Sequence, residues 1–489
     1  MRRLIICAPI LNLRPAALTA GLMLGGLLVT GCAVGPDYQR PQASSVPASY
    51  KEQQGWRPGQ PSDAIDRGAW WSIYNDPVLD DLEKQIDISN QTLKASEAAF
   101  RQARAVVEQA RAGYFPTVTL NGSGQRSKGV TSTGSSGVAN TYGLSLGASW
   151  EPDIWGSIRR TVESDVANAQ ASAGELASAR LSAQAALATD YFELRVADQL
   201  KHLLEDAVTA YTRSLQITQN QYAVGVAAQT DVITAKTQLE STQSQLINVG
   251  VQRAQLEHAI AVLVGKAPAE FSIAPAPLTN NVPVVPTDVP STLLQRRPDI
   301  ATAERQMAAA NALIGVAVAA YYPDITLSGS VGFDNSALNQ LVRASSLLWS
   351  VAGGVSETVF DAGLRGAKVD AARASYDGTV ANYRQTVLTG FQQVEDSLAA
   401  LRILQQQAVV QDQTVIDAQK AAQLTLNQYQ AGTVAYNSVI TAQVTALNAQ
   451  QSALTVMETR LTSSVSLIEA LGGGWDAAQL PDSNHLDAH

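Results

Sequence analysis

The chain is poor in charge, in aromatic rings and in cysteine. Asp, Glu, Lys and Arg make up 16% of its 489 residues and aromatics 6%, which sets it apart from an ordinary globular enzyme. A net charge of −9, with no Lys/Arg cluster beyond short local pairs, excludes a nucleic acid partner, whose phosphates demand a basic face. The cysteines are Cys7 and Cys32, so nothing downstream can be stapled by a disulfide. Beyond residue 32 no apolar run reaches the roughly 18 residues of a spanning helix. A membrane would therefore be crossed as β-strands or approached through a lipid. The four histidines, His202, His258, His485 and His489, build no site, and no Walker loop, C-x-x-C or metal-spaced cluster occurs, so no cofactor or metal is expected.

Proline is absent over two long stretches, between Pro152 and Pro268 and between Pro323 and Pro481. Pro-free sequence rich in Ala, Gln and Leu supports very long helices. By contrast Pro268, Pro275, Pro277, Pro283, Pro286, Pro290 and Pro298 crowd one connector.

What is present is a duplication. Tyr114-Phe115-Pro116-Thr117-Val118-Thr119-Leu120 returns as Tyr321-Tyr322-Pro323-Asp324-Ile325-Thr326-Leu327, and Tyr222-x-x-Gly225 returns as Tyr429-x-x-Gly432. Both echoes lie 207 residues apart (321 less 114, 429 less 222). One offset shared by separate motifs means that a whole succession of elements was copied.

Each copy joins two periodicities. Val232, Ala235, Leu239, Thr242, Leu246, Val249, Arg253, Leu256, Ile260 and Leu263 follow 3,4 spacing, and Ile440, Leu447, Leu454, Leu461 and Ile468 recur every seven. These are coiled-coil seams. Their expected partners are the preceding segments, with Gly225 and Gly432 as left-handed stops between the arms of two helical hairpins. A helix from Ser157 to Tyr222 would extend roughly 100 Å, far beyond a bilayer core. Arg253 and Arg460 interrupt the seams, either reaching the surface or pairing neighbouring hairpins.

The other elements have period two. Tyr142, Leu144, Leu146, Ala148 and Trp150 alternate with small or polar residues, as do Ile325, Leu327, Gly329, Val331 and Phe333, and Trp349, Val351, Gly353 and Val355. Apolar outside and small-polar inside is the pattern of transmembrane barrel strands, although a soluble β-sandwich would share the alternation. Tyr114, Phe115, Trp150, Trp155, Tyr321, Tyr322, Trp349 and Phe360 suit aromatic girdles. Four strands cannot close a barrel, so the chain must oligomerise to hide its edges, with eight strands in a dimer or twelve in a trimer. Gly143-Leu144-Ser145-Leu146-Gly147 matches a hydrolase G-x-S-x-G motif, but it falls mid-strand rather than on a strand-turn-helix. No catalytic residue is assigned.

The N-terminus reads as an export signal, with Arg2, Arg3 and Arg14 ahead of the apolar run Ala16 to Val29. Val29-Thr30-Gly31-Cys32 resembles a lipobox, which makes Cys32 the expected lipidation site, and Ala33 favours sorting to the outer membrane.

Arg296-Arg297-Pro298-Asp299-Ile300, Ala303-Glu304, Ala309-Ala310-Asn311, Ile314-Gly315 and Tyr322-Pro323 resemble the signature of the outer membrane factor family, the TolC-like channels of tripartite efflux pumps. Cys32-Ala33-Val34-Gly35-Pro36-Asp37-Tyr38-x-Arg40-Pro41 and Trp70-Trp71-x-x-Tyr74-x-Asp76-Pro77-x-Leu79 are similar to its NodT-type lipoprotein branch. The resemblance implies an α+β membrane protein: a homotrimer with four transmembrane strands per chain closing a 12-stranded barrel, a long periplasmic α-helical barrel and an equatorial domain. It implies a periplasmic adaptor and an inner membrane transporter of the RND type as partners, and outer membrane lipid around the barrel. The hairpin tips, with Tyr222, Gly225, Asp231, Tyr429, Gly432, Tyr436, Asn437 and Thr441, would form the gate and docking site. Where relatives carry a gate aspartate nine residues after the second glycine, this chain has Thr441. Asp231 is the sole nearby acid, and closure is expected to rest on packing and hydrogen bonds around Tyr429, Tyr436 and Asn437.

The resulting division is a signal peptide over 1–31 and a lipidated extended segment over 32–69. A first repeat follows over 70–267, with strands near 114–126 and 140–153 and a hairpin near 157–264. After the connector 268–297 comes a second repeat over 298–472, with strands near 321–334 and 347–361 and a hairpin near 364–471. A tail over 473–489 is expected to be disordered. The alternative is a lipid-anchored structural coiled-coil protein without transport activity.

Overall fold

The computed structural model of the chain describes residues 33–43, 46–52, 69–130, 136–278, 282–283, 285, 290–483 and 486. Cys32, His485 and His489 lie outside the described residues.

Two short helices, α1 (Pro77–Ser89) and α2 (Gln91–Ala112), lead into strands β1 (Thr117–Val130) and β2 (Ser136–Trp150). The long helix α3 (Ser157–Ala223) and its return arm α4 (Gln229–Leu263) follow. The second copy runs α5 (Pro298–Ala319), β3 (Asp324–Asn335), β4 (Leu347–Ser356), α6 (Leu364–Gln430) and α7 (Tyr436–Ala470). The 67 residues of α3 and of α6 correspond to about 100 Å each.

The strand ends differ from those expected. β1 and β3 begin after Pro116 and Pro323 rather than at the preceding tyrosines, because proline has no amide to give the ladder. At the far end β1 runs on to Val130 and β2 already starts at Ser136, beyond the expected limits of 126 and 140 and into a Gly/Ser/Thr-rich stretch, since small polar residues pair as well as they turn. β2 stops at Trp150 and β4 at Ser356. The four strands form one antiparallel sheet in sequence order, leaving β1 and β4 as edges.

Each long helix is set by its ends. Gly156 and Gly363 adopt φ of 81° and 89° just before α3 and α6, a region that favours glycine. The Asp153 carboxylate accepts hydrogen bonds from Ile158 N and Arg159 N at 3.0 and 2.8 Å, and Asp361 does the same for Gly363 N and Arg365 N. At the other end Gly225 and Gly432 turn at φ of 80° and 73°.

α3 packs on α4 and α6 on α7, and α3 also packs against α7, so the two hairpins lie side by side. Leu204, Tyr211, Leu239 and Leu447 bury their side chains along this shared seam. The largest core sits where the hairpin bases, α1, α5 and the connector cross, around Trp70, Leu79, Tyr191, Phe192, Ile300, Tyr383 and Leu398.

The expected disorder of the tail does not hold for 473–483 and 486. Arg111 Nη2 donates to Ser483 O at 2.9 Å, Arg104 Nε to Leu486 O at 3.3 Å and Gln170 Nε2 to Pro481 O at 3.0 Å. Leu486 is buried against Val107 and Ala169, and this apolar burial offsets the entropy of ordering the segment.

Candidate functional site

The sheet separates two surfaces by side-chain alternation. Leu144, Leu146, Leu327, Val331, Trp349, Val351 and Val355 share one face with Val118 and Leu120, and all are exposed. The opposite face carries Ser123, Ser145, Ser149, Ser328, Ser330 and Ser350, with Ser330 and Ser350 hydrogen-bonded at 2.9 Å. Exposed valine, leucine and tryptophan in an ordered row suit an apolar medium rather than water. Near the sheet's base Trp155 stacks on Tyr322 at 4.8 Å and donates from Nε1 to Pro323 O at 2.8 Å, while Trp150 Nε1 donates to Tyr114 O at 3.0 Å. The G-x-S-x-G residues lie mid-β2, where alternation accounts for them.

The signature residues Arg296 to Pro323 assemble a clamp rather than a reactive centre. Pro298 opens α5, where its missing N–H costs nothing. Arg297, 7% exposed, donates from Nη1 to Ala470 O at 2.8 Å and forms a fork onto Asp299 at 3.0 and 2.7 Å. This ties the start of α5 to the end of α7. The Arg296 carbonyl lies close against Gly472 at the same junction: a Cβ on Gly472, at φ 93°, would lie 2.0 Å from Arg296 O. Glu304 accepts from Tyr38 Oη at 2.5 Å and from Arg305, and Asn311 Nδ2 donates to Pro36 O at 3.0 Å. Gly315 lets Gly35 cross at a distance where a Cβ on Gly35 would meet Gly315 Cα at 2.4 Å. Arg160 completes the grip, donating to Asp37 at 2.8 Å and Glu163 at 2.7 Å. The N-terminal segment is thus laid across α5 and carried on to α6, where Lys51 N and Glu52 N donate to Glu395 and Glu52 pairs with Arg402.

Neither expectation for Arg253 matches the structure. It is held within its own hairpin, 2.6 Å from Asp198 and 2.6 Å from Ile273 O. Asp198 also accepts from Arg195 at 3.2 Å and from Ala276 N at 3.3 Å, and Arg195 donates to Ala274 O at 2.8 Å. The network pins the Pro-rich connector to the hairpin base. Sequence reasoning missed Asp198, since position 405 of the second copy is Gln405 and no echo marks it. It also missed Glu83, a fully buried carboxyl without a hydrogen-bond partner among the described residues. Burial first, then the charges of Asp87 and Asp80, push it up to about 9. Asp190 is pushed up to about 6 by burial and by Glu193.

At the opposite end of the long helices lie the tip residues. Tyr429 and Tyr436 are buried together, ring centroids 5.1 Å apart, with Ala235, Val439 and the flank of Leu215. Burial pushes Tyr436 up to about 12 and raises Tyr429, with Asp231 adding to the latter. The Tyr429 hydroxyl approaches Thr218, whose own proton goes to Ser214 O at 2.9 Å, and it makes no well-formed hydrogen bond among the described residues. Asp231 is spent locally as well, accepting from Ala228 N at 3.3 Å at the start of α4. Thr441 donates to Asn437 O at 3.0 Å and Thr234 to Thr230 O at 2.7 Å. Tyr222 is exposed beside the first turn. Asn437, Ser438 and Thr441 line a shallow groove of about 400 Å³ against Ala418 and Ala421 of α6. The pair Tyr429 and Tyr436 therefore fastens the second hairpin to the first by packing, without a carboxylate and without the hydrogen bond expected at the Tyr429 hydroxyl.

The sequence profile described as outer membrane efflux protein matches residues 82–266 and 289–473. The probable efflux pump outer membrane protein TtgC of Pseudomonas putida is 31% identical over 461 residues, 93% of this chain and 95% of that one. The cation efflux system protein CusC of Escherichia coli is 28% identical over 452 residues, 92% and 97% of the two chains. Among solved structures, the outer-membrane channel OprN aligns with a TM-score of 0.86 at 29% identity over 91% of this chain and all of its own. The open MtrE channel of Neisseria gonorrhoeae aligns at 0.80 and 26%, covering 91% and 99%. The profile falls once on each copy of the repeat, and the chain accordingly belongs to the outer membrane efflux protein family, with its TolC-like fold.

Proposed function

We propose that three copies of this chain form the outer membrane duct of a tripartite efflux system. Each would give four strands to a twelve-stranded barrel and two helical hairpins to a tunnel through the periplasm. The observation that carries the reading is the open four-stranded sheet with an exposed apolar face, continuous with helices about 100 Å long. Such a sheet needs partners to close its edges in lipid.

The chain is a passive channel component and not an enzyme. An adaptor would meet the hairpin tips around Tyr222–Asp231 and Tyr429–Thr441, and an inner membrane transporter, of the RND type, would supply the energy and the selectivity. Cys32 would carry the lipid that anchors the N-terminal segment, which the clamp on α5 then holds. Homologues are named for toluene, solvents, antibiotics or cations, and the bland small-polar wall suits a shared conduit for more than one class.

Deleting the gene and screening growth against a panel of solvents, antibiotics and metal ions tests this reading. Sensitivity to a subset, restored by the intact gene, is expected. Full complementation by a chain lacking both strand pairs would favour the structural coiled-coil alternative.

A further inference from the structure

Resting on the trimeric duct just proposed, we infer the register of the seam between subunits. β4 of one protomer pairs antiparallel with β1 of the next, from Trp349 opposite Lys128 to Ser356 opposite Asn121.

The inference comes from how closely the two copies repeat at the level of backbone pairing. In the first hairpin Thr117 faces Ser149, Leu120 faces Leu146 and Ser123 faces Gly143. Adding 207 to every number gives Asp324 facing Ser356, Leu327 facing Gly353 and Ser330 facing Ser350, which are the pairs of the second hairpin. The offset found in the motifs is thus also the offset of the ladders. The β2–β3 seam joins a first copy to a second, with Tyr142 facing Asn335 and Ser149 facing Ser328. In a closed ring the remaining kind of seam joins a second copy to the first copy of the next chain. Moving β2 forward and β3 back by 207 gives its pairs: Trp349 with Lys128, Val351 with Arg126, Val355 with Gly122 and Ser356 with Asn121.

A separate constraint agrees. A slip of one residue turns every side chain of a strand to the other face. In the register inferred, Trp349, Val351 and Val355, from 73% to 81% exposed in the single chain, fall on the face shared by Val118 and Leu120. Ser350 meets Ser127, Gly354 meets Ser123 and Ser356 meets Asn121 on the small-polar face. Odd slips are excluded by this matching, and the repeat selects among the even ones. The Lys128 ammonium is brought beside the Trp349 ring, a favourable cation–π arrangement at the rim.

Disulfide trapping in isolated membranes tests the register. Ser356→Cys is combined with Asn121→Cys, or with Thr119→Cys or Ser123→Cys, which lie two residues to either side on the same face. Ser149→Cys with Ser328→Cys, the matching place in the β2–β3 seam, reports the folded sheet by an intrachain bond, and the parent chain controls for Cys32. The expected result is covalent dimers and trimers several-fold more abundant with Asn121→Cys than with either neighbour. A maximum at Thr119→Cys or Ser123→Cys, in membranes that still hold trimers, overturns the register and leaves the duct standing. No intermolecular bond with any pair, while the Ser149–Ser328 bond forms, also overturns the register. A chain that is monomeric in those membranes removes the duct and the register together.

Discussion

Individual side chains in this protein act mainly as fasteners. Arg297 is the clearest case, because its buried guanidinium serves the Ala470 carbonyl and Asp299 at once. Arg297→Ala leaves a buried carbonyl unpaired, and a loss of roughly 2–4 kcal/mol is expected, read as a lower Tm in detergent. Arg297→Lys should fall between, since a point charge cannot reproduce the fork. Glu83 predicts a pH dependence. Its folded value, about 9, lies above the ordinary 4.5, so between these values the folded chain holds a proton that the unfolded chain has released. Its contribution is complete below about 4.5 and is lost as pH rises toward 9, by at most about 1.4 kcal/mol per pH unit. Melting at pH 5.5 and 8.5 checks this: the Tm of Glu83→Gln should drop less than that of the parent, and parallel drops would contradict it.

At the scale of elements, the tip is the informative place. The two hairpins stop at the same glycine, but the second adds Tyr436 where the first has Gln229, and only the second builds a buried tyrosine pair. If that packing holds the tip closed, Tyr429→Ala raises the leak of channels in planar bilayers. Tyr429→Phe leaves it unchanged, because the hydroxyl forms no well-formed bond to lose. An unchanged leak for Tyr429→Ala would sink the account of closure. Much of this architecture was legible beforehand. Period-two apolar residues marked the strands, proline-free runs marked the helices, and the 207-residue echo paired them. Strand limits were misread where Pro116 and Pro323 delay the ladder and where a Gly/Ser/Thr stretch prolongs it. The docked tail, the α3–α7 contact and the Asp198 network were not legible, because each depends on residues far apart in sequence and absent from the other copy. The signature around Arg297, Glu304 and Asn311 was visible as a pattern, but its work as a clamp on residues 35–38 needed the fold.

For the whole molecule, the repeat explains why one chain is insufficient. Two copies of a strand pair and a helical hairpin stand side by side, and the sheet still ends in two bare edges, β1 and β4. Exposed side chains along those edges, and on α4 and α6 such as Ile247 and Val409, leave apolar surface that the complementary flank of a further copy would cover. In the proposed trimer the duplication would make the seam within the chain a template for the seam between chains, and three chains would approximate a ring of six like units. Native mass spectrometry of the detergent-extracted protein tests this most directly. The expected species holds three chains, while a dominant species of one or two would contradict the account.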